Sequence, residues 1–457
     1  MTSTERQERD LERVVDASPT EDLFIEMLTR DIALIPSIVD LVDNCADGAR
    51  RVRGNDNYRG LWARLEISTK QFRLSDNCGG IPADIARDYA FRFGRPHGAP
   101  SVKHSVGQFG VGMKRAIFKM GKYFRVESTT HSTRFVIEQD VLQWAKDPKW
   151  EYEFSEFQKD GDYGADEQGT TVTVTQLNEG VAAEFGLADF ATRLKQELKS
   201  KLRDPIARGL AVTINAIPVD SEPLTVLAGR DLNPAFKELR FPPTGPKPVL
   251  VKLYCGLGAS DDPRASRAAA GWHVFCNGRL ILEGDKTAVT GWGEDAGDVS
   301  IPAFHGQYNN LRGYAYFDCD DPSKLPWNTT KTGFNADSPL YRAVRLEMMR
   351  MMLPVKAFLD RLKEEKSAKS DTGEAGPLES LLLKAEIADV QDVAVRRAFE
   401  LPPMKQKRKP AGPIMQKIQY EKPLKMVEEA KNLLKARSWK EVGEKTFDYF
   451  YRAEVAK

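Results

Sequence analysis

The clearest pattern of apolar and polar positions lies in residues 31–49. Asp40, Asn44 and Asp47 stand at i, i+4 and i+7, which places them on one side of a helix. The apolar residues share the opposite side: Ile35, Ile38, Val39, Val42, Ala46 and Ala49. The pattern predicts an amphipathic helix that packs on a core. Its polar side is either solvated or part of a site, since an acid one turn before an amide suits Mg²⁺ binding and the orientation of a water molecule.

Two strand-like runs follow, over residues 61–67 and 71–74, and the second leads into the turn Ser75-Asp-Asn-Cys-Gly-Gly-Ile-Pro82. An acid at a strand end, followed by glycines, can accept a hydrogen bond from an exocyclic amine while the backbone passes close to a flat base. A plain Asp-Asn-Gly turn has the same sequence. Further along, Gly169-Thr170 opens an alternating run that predicts another strand.

A glycine-rich loop precedes a predicted helix at residues 107–121. Its glycines are Gly107, Gly110 and Gly112. Without side chains in the way, the backbone N–H groups of these glycines can donate hydrogen bonds to phosphate oxygens, and the N-terminus of the helix adds partial positive charge. Glycines also mark ordinary turns, so the loop gains meaning only from the motifs before it.

In this order the four motifs resemble the GHKL ATPase superfamily, which includes gyrase, the heat-shock chaperone, histidine kinases and MutL. The acid-x-x-x-Asn box matches Asp40 and Asn44, the Asp-x-Gly-x-Gly box matches Asp76 and Gly80, and the Gly-x-x-Gly-x-Gly box matches the loop glycines. The resemblance implies a Bergerat-type ATP-binding α/β sandwich over residues 1–200, with a lid at about 83–106. It also implies that Asp40 is the catalytic base, that Asp76 reads the adenine amine and that Asn44 ligates Mg²⁺. The residues implied to bind the ATP cofactor are Asn44, Asp47, Asp76, Gly80, Ile81, Gly107, Gln108, Phe109, Gly110, Val111, Gly112, Met113, Lys114 and Thr170.

Within the superfamily, Phe93-Gly94 and Met113-Lys114 look most like MORC-type ATPases of bacterial type. A histidine kinase is excluded, because residues 1–96 contain no histidine to act as phosphoacceptor before the ATP domain.

Two positions depart from the family pattern. Asp40 stands where most hydrolysing members have Glu; its carboxylate is one methylene shorter, so we expect slow hydrolysis. Cys78 stands where the family usually has Gly, so its side chain either crowds the base pocket or is accommodated by the flexibility of Gly79-Gly80.

Composition agrees with a soluble, cytoplasmic, multidomain protein. The 457 residues carry a formal net charge of +1. A net charge this small gives no electrostatic reason to expect binding to nucleic acid or to a membrane surface. The five cysteines include no Cys-x-x-Cys pair, which disfavours a disulfide framework and a zinc site. The charged N-terminus does not read as a signal peptide, and no apolar run is long enough to span a bilayer.

Strand-like runs between residues 249 and 317, with a hairpin signal at Asn277-Gly278, indicate a second domain over residues 201–337. It resembles the transducer domain of MutL, gyrase and MORC proteins, a βαβ module like domain 2 of ribosomal protein S5. In those relatives a basic residue of this domain reaches the γ-phosphate, and Lys331 is the best match; a surface loop lysine is the alternative. The fold class is therefore α+β.

The remainder is predicted to be mostly helical. Ser338-Pro339 starts a helical region over residues 338–400, with a kink at Pro354 and a return to helix over 378–399. A basic, proline-rich linker follows at 401–413, and residues 414–457 form C-terminal helices.

Two functions remain open at this point. The first is an ATP-operated clamp that forms a homodimer on binding ATP and acts on DNA or a partner protein, in the manner linked to bacterial defence for MORC-like relatives. Residues 21–28 would then be a strap that crosses to the partner subunit. The second is a chaperone-like ATPase that remodels proteins.

Overall fold

The structure is a computed structural model. It describes residues 29–30, 32–54, 57–94, 103–107, 110–147, 151–242, 244, 247–258, 263–328, 330–335, 337–368, 375–401, 418 and 421–455. The predicted strap at 21–28, part of the lid, Gln108, Phe109 and the basic run of the linker lie outside these residues.

A mixed sheet organises the first part of the chain. Its order in the described residues is β5-β4-β3-β6-β2-β1-β7-β8, and all neighbours are antiparallel except β1 and β7. The strands are β1 (Trp62–Ile67), β2 (Phe72–Asp76), β3 (Gly121–Thr129), β4 (Arg134–Asp140), β5 (Glu156–Gln158), β6 (Gly169–Leu177), β7 (Ala211–Ile214) and β8 (Ile217–Pro218). The predicted strands at 61–67, 71–74 and 169–174 are therefore present, with β2 ending at Asp76 itself.

Helices cover this sheet. They are α1 (Leu34–Arg53), α2 (Ala83–Ile85, continued by a π-helical turn at Ala86–Ala90), α3 (Gly112–Met120), α4 (Val141–Trp144), α5 (Glu179–Phe185), α6 (Phe190–Lys201) and α7 (Arg203–Ala207). The apolar side of α1 packs on the sheet through Ile38, Val42 and Ala49, which are fully buried. Basic residues occupy the last turn of α1, where they complement the helix dipole, and Gly54 ends the helix.

A second sheet lies in the following part of the chain, in the order β10-β11-β16-β12-β13 among the described residues. Its strands and the neighbouring elements are β9 (Thr225–Ala228), β10 (Ala235–Phe241), β11 (Val249–Leu257), α8 (Pro263–Ala269), β12 (Gly271–Cys276), β13 (Arg279–Asp285), β14 (Asp295–Ala296), β15 (Val299–Ser300) and β16 (Leu311–Asp318). Asn277 and Gly278 both have positive φ, as the predicted hairpin between β12 and β13 requires.

Helix α9 (Pro339–Ala368) packs on the second sheet, and the side chains of Met348, Met349 and Met352 are completely buried in that core. Pro354 lies inside this helix. The long helix predicted to start at Ser338-Pro339 is therefore present, and it packs on the second sheet.

The predicted return to helix over 378–399 is wrong beyond Lys384. Helix α10 spans Pro377–Lys384, and the chain then forms β17 (Glu386–Asp389), which pairs antiparallel with β9. The backbone hydrogen bonds offered by β9 outweigh the weak local helix preference of this segment.

The chain divides into two compact units, residues 1–402 and 403–457. The described helices of the second unit are α11 (Leu424–Leu434) and α12 (Trp439–Phe450). Within the described part of the chain, no helix combines the length and apolar character needed to cross a membrane.

Candidate nucleotide site

A cavity of about 280 Å³ lies between α1, the ends of β2 and β6, and the glycine loop. It brings together every described residue that the sequence assigned to the site. These are Asp40, Asn44, Asp47, Asp76, Gly80, Ile81, Gly107, Gly110, Val111, Gly112, Met113, Lys114, Thr170 and Lys331. Lys331 lies after β16 in the chain, so the part of the chain that carries the second sheet contributes to the cavity.

Asp76 closes one end of the cavity, at the end of β2. Its Oδ1 accepts a hydrogen bond from the backbone N–H of Cys78 at 2.7 Å, and its Oδ2 accepts one from Sγ of Cys45 at 3.4 Å. Burial raises the pKa of Asp76 to about 6, although these bonds oppose the shift. A carboxylate held in this way is a directed acceptor for a donor that enters the cavity.

Close backbone packing around Asp76 requires glycine at two positions. Gly80 has φ +65°, and a Cβ there would lie 2.1 Å from the carbonyl oxygen of Thr129. A Cβ on Gly169 would lie 1.9 Å from the carbonyl oxygen of Asp76. The neighbouring Ile81 N–H donates to Oγ of Ser128 at 2.7 Å. These contacts fix the turn after β2 against β3 and β6.

Cys78, the position that departs from the family pattern, is accommodated by a glycine on α1. Its side chain is buried against the helix, where a Cβ on Gly48 would lie 2.9 Å from the Cβ of Cys78. Gly48 therefore provides the space for the side chain of Cys78, which also lines the cavity. The two alternatives from the sequence were crowding of the base pocket and flexibility of Gly79-Gly80, and neither included Gly48.

The polar side of α1 faces the site and not bulk solvent. Asp40 and Asp47 are buried, at 4% and 9% exposure, while Asn44 between them is exposed. Asp47 accepts hydrogen bonds from the backbone N–H groups of Val106 and Gly107, at 2.9 and 2.8 Å, and pairs with Arg50. Its oxygens hold the start of the glycine loop in place.

The glycine loop leads directly into α3, which begins at Gly112. Lys114 in the first turn is buried, and its Nζ donates to the carbonyl oxygens of Ala90, at 2.9 Å, and Gly110. Burial lowers the pKa of Lys114 to about 7. An anion bound at this loop would restore the charge of the ammonium group.

Comparison with known proteins identifies the domain. Residues 34–170 match the family described as histidine kinase-, DNA gyrase B-, and HSP90-like ATPase. The matched segment contains α1, the turn at Asp76, the glycine loop and Thr170. Residues 34–170 are a GHKL ATPase domain. No curated protein matches the chain.

As a GHKL ATPase domain, this part of the chain binds ATP. The resemblance noted from the sequence is thus confirmed at the level of the superfamily. The finer likeness to MORC-type ATPases stays a prediction.

Asn44 is the residue that fits a magnesium ion. It is exposed within a helix whose residues 37–43 and 45–50 are buried, and its side chain has no hydrogen-bond partner among the described residues. Mg²⁺ is usually held by one or two protein oxygens together with phosphate oxygens and water. When bound, the ion would neutralise charge on the phosphates, and Oδ1 of Asn44 would be its ligand from the protein.

A buried charge cluster adjoins the GHKL cavity on the side of the second domain. Asp40 pairs with Arg115 at 2.7 Å and with Lys331 at 3.3 Å, and Asp43 pairs with Lys331 at 3.2 Å and with Arg279 at 3.2 Å. Burial alone would raise the pKa of Asp40, but Lys331, Arg279 and Arg115 hold that pKa below its ordinary value. In this arrangement Asp40 is a poor proton acceptor.

The sequence did not single out three members of this cluster. Asp43 stands three residues after Asp40 and was detectable from its helical spacing. Arg115 directly follows Lys114, so the sequence placed it at the start of the helix after the glycine loop. The sequence did not show that its ion-pair partner is Asp40. Nothing in the sequence connects Arg279 with Asp43, which lies 236 positions earlier.

The end of the predicted lid, directly before the glycine loop, contacts α1 and also residues of the second sheet. Val106 is buried in the hydrophobic core formed by the second sheet and α9. The side-chain amide of Asn277 donates to the carbonyl oxygens of Ser105 and Cys319, each at 3.1 Å, and Arg50 donates to the carbonyl oxygen of Asn277. His104 pairs with Asp320 at 3.0 Å. These contacts connect the part of the chain that carries the second sheet to the residues directly before the glycine loop.

Proposed function

We propose that the protein is an ATP-operated switch in which Lys331 senses the γ-phosphate and couples it to the angle between the two domains. The observation that supports this proposal is the position of Lys331. It belongs to the second domain, yet its ammonium group lies within the nucleotide cavity, 3.3 Å from Asp40. The second domain then has the role of a transducer-like module.

In the proposed cycle, the γ-phosphate draws Lys331 away from Asp40 and Asp43. Loss of this positive charge raises the pKa of Asp40 toward its ordinary value and makes the carboxylate a better base. A water oxygen then attacks the γ-phosphorus, the bond to the β–γ bridging oxygen breaks, and the water proton passes to Asp40. The products are ADP and inorganic phosphate. Because Asp40 must first lose a cation partner, we expect turnover to be slow.

ATP binding in this scheme favours a homodimeric clamp that acts on DNA or on a partner protein. The γ-phosphate is the group that ATP has and ADP lacks, so only a contact with it can distinguish the two states. The contacts of Val106 and Asn277 give the second domain a direct mechanical connection to the loop that holds the phosphates.

The test is molecular mass by light scattering, with ADP and with a non-hydrolysable ATP analogue, at micromolar protein. We expect a dimer only with the analogue, and loss of that dimer together with turnover in Lys331→Ala. Lys324→Ala is the matched control, because Lys324 lies in the same domain and its Nζ bonds only the carbonyl oxygen of Lys247 among the described residues. A monomer with both nucleotides would contradict the clamp.

Turnover measurements separate the roles of individual residues. We expect Asn44→Ala to lose Mg²⁺-dependent ATP binding, and Asp40→Asn to keep binding but lose hydrolysis. Stimulation of wild-type turnover by DNA would support action on DNA. Stimulation by unfolded protein in place of DNA would favour the remodelling ATPase.

A further inference from the structure

A second cavity adjoins the nucleotide site on the other side of Lys331. This cleft, of about 1000 Å³, is lined by the start of α1, one side of α6, and Arg279 and Lys331. Lys331 lines both cavities, so its side chain stands at the boundary between them. A group that leaves the γ-phosphate position past Lys331 would enter the cleft.

Positive charge exceeds negative charge at the inner end of this cleft. Arg279 and Lys331, which line the cleft, and the neighbouring Arg115 form ion pairs with just two carboxylates among the described residues, those of Asp40 and Asp43. Arg279 is 5% exposed, and its Nε has no hydrogen-bond partner among the described residues. A buried guanidinium with an unused donor is costly unless a ligand or water satisfies it.

Lys201, the last residue of α6, adds a further positive charge. No hydrogen-bond or ion-pair partner for its ammonium group occurs among the described residues. Burial, followed by the charge of Arg279, lowers the pKa of Lys201, and an anion near both groups would reverse that shift.

Other charges in the cleft are already balanced or lie in solvent. Arg193 pairs with Glu184 and Asp189 at 2.9 Å each, and Lys119 donates to the carbonyl oxygen of Thr29. Glu197, one turn before Lys201, is exposed, and its charge, with those of Glu283 and Asp43, opposes the lowering of the Lys201 pKa without outweighing it. The surplus positive charge is therefore concentrated at Lys201, Arg279 and Lys331.

We propose that the cleft beyond Lys331 is a binding site for inorganic phosphate, held by Lys201, Arg279 and Lys331. The proposal rests on the proposed function only for the origin of the phosphate, which would be the product of ATP hydrolysis leaving through the cleft. Phosphate provides several acceptor oxygens and two negative charges, which match the unused donors and the surplus charge of these three groups.

The experiment measures binding of inorganic phosphate to the full-length protein by calorimetry, without nucleotide and with saturating ADP. We expect phosphate to bind in both conditions and Lys201→Gln to weaken it by about tenfold, the effect of losing one charge-assisted hydrogen bond. Lys199→Gln is the matched control, because Lys199 lies on the same helix and pairs with Glu222 outside the cleft. ATP affinity should be the same in both variants.

Three results would overturn the proposal. They are no phosphate binding, equal binding by wild-type protein and Lys201→Gln, or loss of phosphate binding when ADP is present. A short DNA duplex that binds through Lys201, while phosphate does not, would instead identify the cleft as a nucleic-acid surface. None of these measurements requires turnover, so failure of hydrolysis and failure of the phosphate site are distinguishable.

Discussion

The ammonium group of Lys331 lies between the carboxylates of Asp40 and Asp43, 3.3 and 3.2 Å from their oxygens, although 291 and 288 positions separate it from them in the chain. Burial lowers the pKa of Lys331, but the two carboxylates outweigh burial and hold the pKa above its ordinary value. The ion pairs therefore join the segment after β16 to α1 beside the nucleotide cavity. In the proposed cycle, they are the contacts from which the γ-phosphate of ATP releases Lys331.

This relationship predicts a large effect of Lys331→Met on stability. Removal of one partner of a buried ion pair typically costs about 3–5 kcal/mol, because the remaining charge stays buried. The matched control is Lys237→Met, since Lys237 is 44% exposed and pairs with Glu347 on the surface, where the cost is about 1 kcal/mol or less. Urea denaturation measures both.

The double variant Lys331→Met with Asp43→Asn tests the origin of that cost. Removing one of the two carboxylates should recover part of the lost free energy of unfolding. If Lys331→Met costs no more than Lys237→Met, the cluster does not hold the domains together.

Asp76 gives a prediction for nucleotide affinity and its pH dependence. Asp76→Asn loses a charge-assisted hydrogen bond worth about 1.5–3 kcal/mol, which corresponds to a tenfold to hundredfold loss of ATP affinity. The pKa of Asp76 is about 6 in the nucleotide-free protein, and an adenine amine donates best to the ionised carboxylate. Affinity should therefore fall as the pH is lowered from 7.5 to 5.

The pH measurement needs the Asp76→Asn protein as its reference, because the phosphates of ATP also titrate. Any fall in ATP affinity that occurs in the wild-type protein but not in Asp76→Asn is due to protonation of the Asp76 carboxylate. An equal pH profile in both proteins, measured by calorimetry, would remove Asp76 from contact with the base.

Local features of the fold could be predicted from the sequence, whereas distant partners could not. The spacing of apolar residues predicted α1, and Asn277-Gly278 predicted the hairpin, because both depend on the period or the φ values of neighbouring residues. The helical pattern also grouped Asp40 with Asp47. It gave no sign that these acids are buried, since the cations of Asp40 lie on other elements. Asp47 pairs with Arg50 on α1 itself but also accepts hydrogen bonds from Val106 and Gly107, which the helical pattern does not include. The strand β17 was missed for the same reason: its partner β9 lies about 160 residues earlier.

The contact between Gly48 and Cys78 predicts that substitution of Gly48 is costly. In Gly48→Ala the new Cβ would lie 2.8 Å from the carbonyl oxygen and 2.9 Å from the Cβ of Cys78. The turn after Asp76 must then shift, so both stability and ATP affinity should fall. Overpacking of this kind typically costs about 1–3 kcal/mol in a well-packed core.

The double variant Gly48→Ala with Cys78→Gly should recover part of the loss, because it removes the contact between the two Cβ atoms but leaves the contact with the carbonyl oxygen. Thermal denaturation and ATP titration measure the recovery. Additive losses in the double variant would show that the two residues do not constrain each other.

Lys114 predicts that nucleotide binding takes up a proton. Burial keeps its pKa at about 7, so at pH 8 the ammonium group is mostly neutral in the free protein. Phosphate oxygens at the glycine loop favour the charged form and raise the pKa, and binding should then take up about 0.9 proton at pH 8. Calorimetry in two buffers with different ionisation enthalpies measures this number.

Two variants test whether Lys114 is the group that takes up the proton. Lys114→Met should abolish the uptake, while Lys122→Met, which changes an exposed lysine on β3, should retain it. Zero uptake by wild-type protein would mean that Lys114 does not contact the phosphates.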